Sequence, residues 1–276
     1  MNRDTILIEA DELLTKIADP TIRILDATIL FYNSEEEAAN EPTAHEEYLE
    51  GHIPGAAFFD HQKFSDASSD YQYTLLPEMD LATQIGSIGI DVNSEVVLYS
   101  TGMLLSATRA WWILRYAGLN NVRVLNGGLT AWEKAGGDVE EAPHQYEAAT
   151  FECALRTDMF ASKEDVKAAI EDDAVYLVNT LSPESFEEAH IVDSANLPCG
   201  DLMRGWAYFL PNDELAAILK DESPHERIIV YCGGGISATV NAMAHLMVGN
   251  ENVSVYDGSM TEWMWERLPT AKGTPK

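Results

Sequence analysis

The chain has 276 residues, 46% of them hydrophobic and 9% aromatic, enough to fill the cores of two ordinary domains. With 46 acidic against 17 basic residues it carries a formal charge of −29, a surface that repels nucleic-acid phosphates and anionic lipid, so neither nucleic acid nor membrane is expected as a partner. Its longest apolar runs, such as Ile228 to Tyr231, fall far short of the roughly 20 residues of a membrane span.

In chain order, the N-terminus has no long apolar stretch with a small-residue cleavage site, so no signal peptide is expected. A helical pattern covers 10–18 and a β-branched strand 22–25. The turn sequence Gly51-His-Ile-Pro-Gly-Ala-Ala57 follows, then a strand at 96–98, a helix at 106–117 and a strand at 122–125. A polar stretch containing Pro143 reads as a linker over 138–157. Beyond it come a helix at 163–171 with Ser162 as its cap, a strand at 175–178 and a helix at 212–220. A strand at 228–230, a helix at 237–248 and a strand at 253–255 complete the pattern.

The second half of the chain echoes the first. Val96-Val-Leu-Tyr-Ser100 and Ser106-Ala-Thr108 return as Ile228-Ile-Val-Tyr-Cys232 and Ser237-Ala-Thr239. Val122-Arg-Val-Leu-Asn-Gly-Gly-Leu-Thr-Ala-Trp132 returns as Val253-Ser-Val-Tyr-Asp-Gly-Ser-Met-Thr-Glu-Trp263. The matches keep one order and nearly one offset, so the chain is a tandem duplication. Strands alternating with helices predict an α/β fold, each unit a parallel sheet flanked by helices. The expected domains are 1–137 and 158–276, joined by 138–157.

The chemistry gathers in Cys232-Gly-Gly-Gly-Ile-Ser237, between a buried strand and a helix. Successive glycines let backbone N–H groups converge, and the following helix adds its positive end. A thiolate at Cys232, or a persulfide sulfur upon it, is stabilised in such a cradle. The other cysteines, Cys153 and Cys199, form no disulfide framework, and reduced thiols in a cytoplasmic protein are the simplest reading. Cys199 also reads as a possible second redox-sensitive thiol. The seven histidines are scattered, and no metal is expected.

Together with this loop, the stretches Gly51-His-Ile-Pro-Gly-Ala-Ala-Phe-Phe-Asp60, Leu76-Pro77, Arg109-Ala-Trp-Trp112, Val124-Leu-Asn-Gly-Gly-Leu-Thr-Ala-Trp132 and Tyr256-Asp-Gly-Ser-Met-Thr-Glu-Trp263 resemble the tandem rhodanese family of thiosulfate and 3-mercaptopyruvate sulfurtransferases. The resemblance spans nearly the whole chain. It implies a catalytic C-terminal unit and a degenerate N-terminal one, and Ser100 indeed stands where the second unit has Cys232. It further implies a double displacement without cofactor. Cys232 takes a sulfane sulfur from a small anionic donor as a persulfide and passes it to a thiol, cyanide or a thioredoxin-like dithiol. Backbone N–H groups of Gly233, Gly234, Gly235, Ile236 and Ser237 are then the expected binding elements.

The uncharged loop is closer to the mercaptopyruvate type than to the thiosulfate type, which often places basic residues there. Two departures stand out: Gly234 occupies the place of a serine, and Asn179-Thr-Leu181 replaces an Asp-x-Arg stretch whose arginine holds a carboxylate. Arg204 is the candidate substitute, with a plain surface arginine as the equal alternative. His52 matches the family's domain-interface histidine, with structural use in a turn as its other reading. A cysteine phosphatase is excluded because the arginine of a Cys-x5-Arg clamp is Ala238 here. A sulfur carrier or binding module without turnover stays as the alternative from another class.

Overall fold

Residues 1–32 and 34–274, those described by this computed structural model, build on two five-stranded sheets, each parallel throughout, with two small antiparallel pairs beside them. Across the first sheet the strands run Leu7–Ile8, Val122–Leu125, Glu95–Tyr99, Ile22–Asp26 and Ala57–Phe58. Across the second they run Phe160–Ala161, Val253–Tyr256, Arg227–Tyr231, Val175–Asn179 and Ala195–Asn196. Equivalent strands occupy equivalent places, so the duplication extends from sequence to topology. The central strands are β-branched runs buried on both faces, as helices on each side of a parallel sheet require.

The duplication persists at single hydrogen bonds. The backbone N–H of Ile53 donates to the Tyr99 hydroxyl at 3.2 Å, and that of Ile191 to the Tyr231 hydroxyl at 3.0 Å. The six strands expected from sequence are all present, each within a residue at either end. The two-residue edge strands escaped because two residues show no periodicity. Ser162 caps Lys163–Ala169 as expected, in a reciprocal box with Asp165.

The units meet through equivalent helices, Leu105–Tyr116 and Ala238–Met247, in which nearly every residue is buried. Helices buried on every side belong in a core, and one continuous apolar cluster crosses between the units here. Thr108 and Thr239 are repeat equivalents, and their hydroxyl oxygens lie 2.7 Å apart, marking the pseudo-twofold axis. The 138–157 stretch lies along the first unit. Its backbone N–H groups donate from Glu140 to His52, from Ala149 to Gly86 and from Ala154 to Ala117, each at 2.9 Å. Among the described residues no helix is long and apolar enough to cross a membrane.

Candidate active site

Cys232 is the first residue beyond the central Arg227–Tyr231 strand, at the carboxyl end of the sheet, where open parallel sheets place ligands. Its backbone is fixed from below: its N–H donates to Ser259 Oγ at 3.1 Å, and its carbonyl accepts from the Met260 N–H at 3.0 Å. Ser259 in turn donates to the Tyr256 carbonyl at 2.7 Å. Ser259 is fully buried and holds a left-handed φ of 49°, a rare conformation for a residue with a side chain. Its repeat equivalent is Gly128, at φ 55°, which has no hydroxyl to offer. That mismatch between the repeats is the signal by which the sequence marks Ser259.

The loop then runs Gly233–Ser237 into the helix that starts at Ala238. None of the backbone N–H groups from Gly233 to Ser237 donates to another protein group among the described residues. Unpaired donors in a loop that follows a strand end are what an anion-binding concavity requires. The three glycines are not equivalent. Gly235 sits at φ 75°, and a Cβ there would stand 2.6 Å from the Asp257 carbonyl oxygen. At Gly233 and Gly234 a Cβ would meet nothing nearer than the Gln72 carbonyl oxygen, 4.0 Å from Gly234. Only Gly235 is dictated by conformation.

The first unit clamps this turn. Arg109, 1% exposed, donates to the Gly235 carbonyl at 3.2 Å and to the Tyr73 carbonyl at 2.7 Å, and pairs with Asp257 Oδ1 at 2.7 Å. Asp257 Oδ2 accepts the Leu75 N–H at 2.9 Å. Arg109 thereby links the two units through the cysteine loop.

A cavity of about 660 Å³ opens in front of Cys232, between the units. Phe31, Met103 and Leu105 of the first unit wall one side; Leu181, Pro198, Cys199, Met203 and Trp206 wall the other. Cys232, Gly233, Gly234, Ile236 and Ser237 line it, whereas Gly235 turns away toward Arg109. No lysine, arginine or histidine is among the lining residues, and Asp201 is the sole carboxylate. Leu181 is on the wall, so the arginine missing from the sequence pattern is missing from the cavity too.

Arg204 does not fill that gap. It lies on the short strand Met203–Arg204, where side chains alternate, and Met203 takes the inward place. The Arg204 guanidinium points out, 61% exposed, and pairs with Glu214 at 2.5 Å. The segment from Cys199 to Trp206 does reach the cavity, through other side chains than the expected one. His52 is absent from the cavity as well. It is fully buried in the first unit, stacked on Tyr48 at 4.0 Å with Nδ1 2.6 Å from the Tyr48 carbonyl and Nε2 3.7 Å from Glu140. His190 repeats the arrangement on Phe186 in the second unit, stacked at 3.7 Å with Nδ1 2.8 Å from the Phe186 carbonyl. A device present in both units serves the fold.

Asn179 preserves the turn that the first unit makes with Asp26. The Leu181 N–H donates to Asn179 Oδ1 at 2.8 Å, as the Thr28 N–H donates to Asp26 Oδ1 at 3.0 Å. Replacing Asp by Asn at this place therefore leaves the local hydrogen bond intact. Cys199, 5% exposed, shares the cavity with Cys232, which is 2% exposed. Burial, reinforced by negative charge on Cys232, pushes the Cys199 thiol up to about 12. Among the described residues no group of three or more His, Cys, Asp or Glu gathers as metal ligands would.

Comparison with known proteins agrees with this geometry. The rhodanese-like domain family matches twice, over residues 9–135 and 162–266. The 3-mercaptopyruvate sulfurtransferase of Escherichia coli strain K12 is 31% identical over 272 residues, covering 94% of this chain and 95% of its own. The thiosulfate sulfurtransferase of Cricetulus griseus is 31% identical over 279 residues, covering 95% of this chain and 92% of its own. The crystal structure of the 3-mercaptopyruvate enzyme SseA from Escherichia coli superposes with a TM-score of 0.84 at 31% identity, covering 92% of this chain and 98% of that one.

Proposed function

The chain belongs to the rhodanese family of sulfurtransferases, and on that premise we propose that Cys232 carries a sulfane sulfur as a persulfide between a small anionic donor and a thiol or cyanide acceptor. The Cys232 thiolate attacks the outer sulfur of the donor. With 3-mercaptopyruvate the carbon–sulfur bond breaks and pyruvate leaves as its enolate, which then takes a proton; with thiosulfate the sulfur–sulfur bond breaks and sulfite leaves. The acceptor, a small thiol, cyanide or a thioredoxin-like dithiol, attacks the outer sulfur of the persulfide and regenerates the thiolate. Covalent catalysis of this kind divides one transfer into two displacements.

The observation that carries the reading is the set of unpaired N–H groups from Gly233 to Ser237 around a cysteine at the sheet's carboxyl edge. Those of Gly233, Gly234, Ile236 and Ser237, which line the cavity with Cys232, would stabilise negative charge on sulfur without reorganising, the electrostatic means open to an uncharged loop. Charge also favours one donor. A lining without a cation and with Asp201 present penalises a dianion more than a monoanion, so 3-mercaptopyruvate is preferred over thiosulfate. The free state of Cys153, Cys199 and Cys232 suits a reducing, cytoplasmic setting.

Cyanolysis tests the proposal. With either donor and cyanide, the wild-type protein should release thiocyanate and Cys232→Ser should release none. No thiocyanate from the wild type would favour a sulfur carrier without turnover. Equal release from the variant would place the nucleophile elsewhere.

A further inference from the structure

The cavity holds two thiols, and the double displacement uses one. Cys199 begins a short turn, Cys199–Leu202, held by the end of Val175–Asn179, the strand next to the one that presents Cys232. The Cys199 N–H donates to the Thr180 carbonyl at 3.0 Å, and the Thr180 N–H donates to the Tyr231 carbonyl at 2.9 Å, one residue before Cys232. The Thr180 hydroxyl lies 3.3 Å from that of Ser237, at the far end of the cysteine loop. Both cysteines are thus tied to adjacent strand ends of one sheet and line one cavity. Cys153 is apart from them, with its Sγ directed at the Glu78 carbonyl.

We propose that Cys199 is a resolving thiol: when no acceptor reaches the Cys232 persulfide, Cys199 attacks Cys232 Sγ, forms a Cys199–Cys232 disulfide and expels hydrosulfide. This deepens the persulfide reading of Cys232 and rests on it. The step balances without an external oxidant. The bond between Cys232 Sγ and the sulfane sulfur breaks, that sulfur leaves with the electron pair as HS⁻ and is reduced, and Cys199 is oxidised as its sulfur bonds to Cys232 Sγ in the disulfide. The proton of Cys199 passes to water. A dithiol then returns the enzyme to its reduced form.

The environment of Cys199 sets the timing. A thiol held neutral by burial is a slow nucleophile near pH 7, because only the thiolate attacks. The persulfide therefore outlives many acceptor encounters, and resolution acts as a slow vent of sulfide from an enzyme that has lost its acceptor. Its rate should rise about tenfold per pH unit above neutrality, following the thiolate fraction.

The test is an anaerobic chase. Protein loaded with 3-mercaptopyruvate is freed of donor, left without acceptor at several pH values, and followed by intact mass, peptide mapping and a sulfide assay. The expected course is loss of an adduct of about 32 Da, appearance of a species about 2 Da lighter than reduced protein, and one equivalent of hydrosulfide. Cys199→Ser should keep its adduct at least tenfold longer. The Cys199–Cys232 cross-linked peptide in the wild type reports independently of how the variant folds. A wild-type adduct that persists as in Cys199→Ser, or a disulfide that includes Cys153 instead, overturns this proposal alone. Absence of any adduct from both proteins overturns the persulfide reading and this proposal with it.

Discussion

Leu181 is the side chain in the cavity wall at which donor recognition is most directly tested. It stands where the family resemblance calls for an arginine, and neither Arg204 nor any other cation lines the space around it. Leu181→Arg should therefore raise kcat/KM for 3-mercaptopyruvate, mainly through a lower KM, by roughly 10- to 100-fold, the value of one charge-assisted bidentate contact. Steady-state kinetics with lactate-dehydrogenase-coupled pyruvate detection reads this directly; an unchanged KM would mean the donor's carboxylate sits elsewhere. The glycine loop makes a second residue-scale test. Gly235→Ala forces a Cβ to 2.6 Å from the Asp257 carbonyl at φ 75°, and should cost about 1–3 kcal/mol and most of the activity. Gly234→Ala has open space and should fold normally by thermal melt. Local sequence made the Cys232 loop legible, because the glycines and the cysteine are adjacent. It could not reveal that Arg204 faces out and Met203 faces in, since a one-residue choice of face is settled by the sheet packing around it.

At the scale of elements, the central strands could be read because parallel strands buried on both faces are continuous β-branched runs. Helices such as Glu35–Asn40, Ala44–Glu50 and Pro183–Glu188 could not, since each is only one or two turns long and held by its surroundings. The paired turns after Ile22–Asp26 and Val175–Asn179 yield a stability prediction. Asp26 is 1% exposed, and burial raises its carboxyl above the ordinary value against the lowering effect of hydrogen bonds from Thr28. A carboxyl raised in the folded state contributes stability present below its unfolded pKa and lost as pH rises through the folded value. Asn179 shows that an amide makes the same turn without a charge. Asp26→Asn should therefore stabilise the protein near pH 7 by about 1 kcal/mol, roughly 2–4 °C in Tm, with the gain shrinking toward pH 4. A variant less stable at neutral pH, or a gain independent of pH, would contradict this.

The whole molecule carries −29 charges, and that field acts on folding and on donor approach alike. Raising ionic strength from 0.01 to 0.15 M shortens the Debye length from about 30 to about 8 Å, which relieves both self-repulsion and repulsion of anionic donors. Tm should rise with salt, and kcat/KM for 3-mercaptopyruvate should rise severalfold while kcat stays nearly constant. A falling kcat/KM would point to a cationic patch that steers the donor. The duplicated architecture concentrates chemistry in one place: the first unit contributes Phe31, Met103 and Leu105 to the wall and Arg109 to the loop, while Ser100, with its hydroxyl donating to the Met103 carbonyl at 2.7 Å, turns inward. The central claim is that Cys232 alone bears the transferred sulfur, and peptide mass spectrometry after brief exposure to 3-mercaptopyruvate at neutral pH tests it most directly. The account predicts an added mass of about 32 Da on the Cys232 peptide, removed by cyanide and absent from Cys232→Ser. An adduct on Cys153 or Cys199 with Cys232 unmodified, or no adduct with either mercaptopyruvate or thiosulfate, would contradict it.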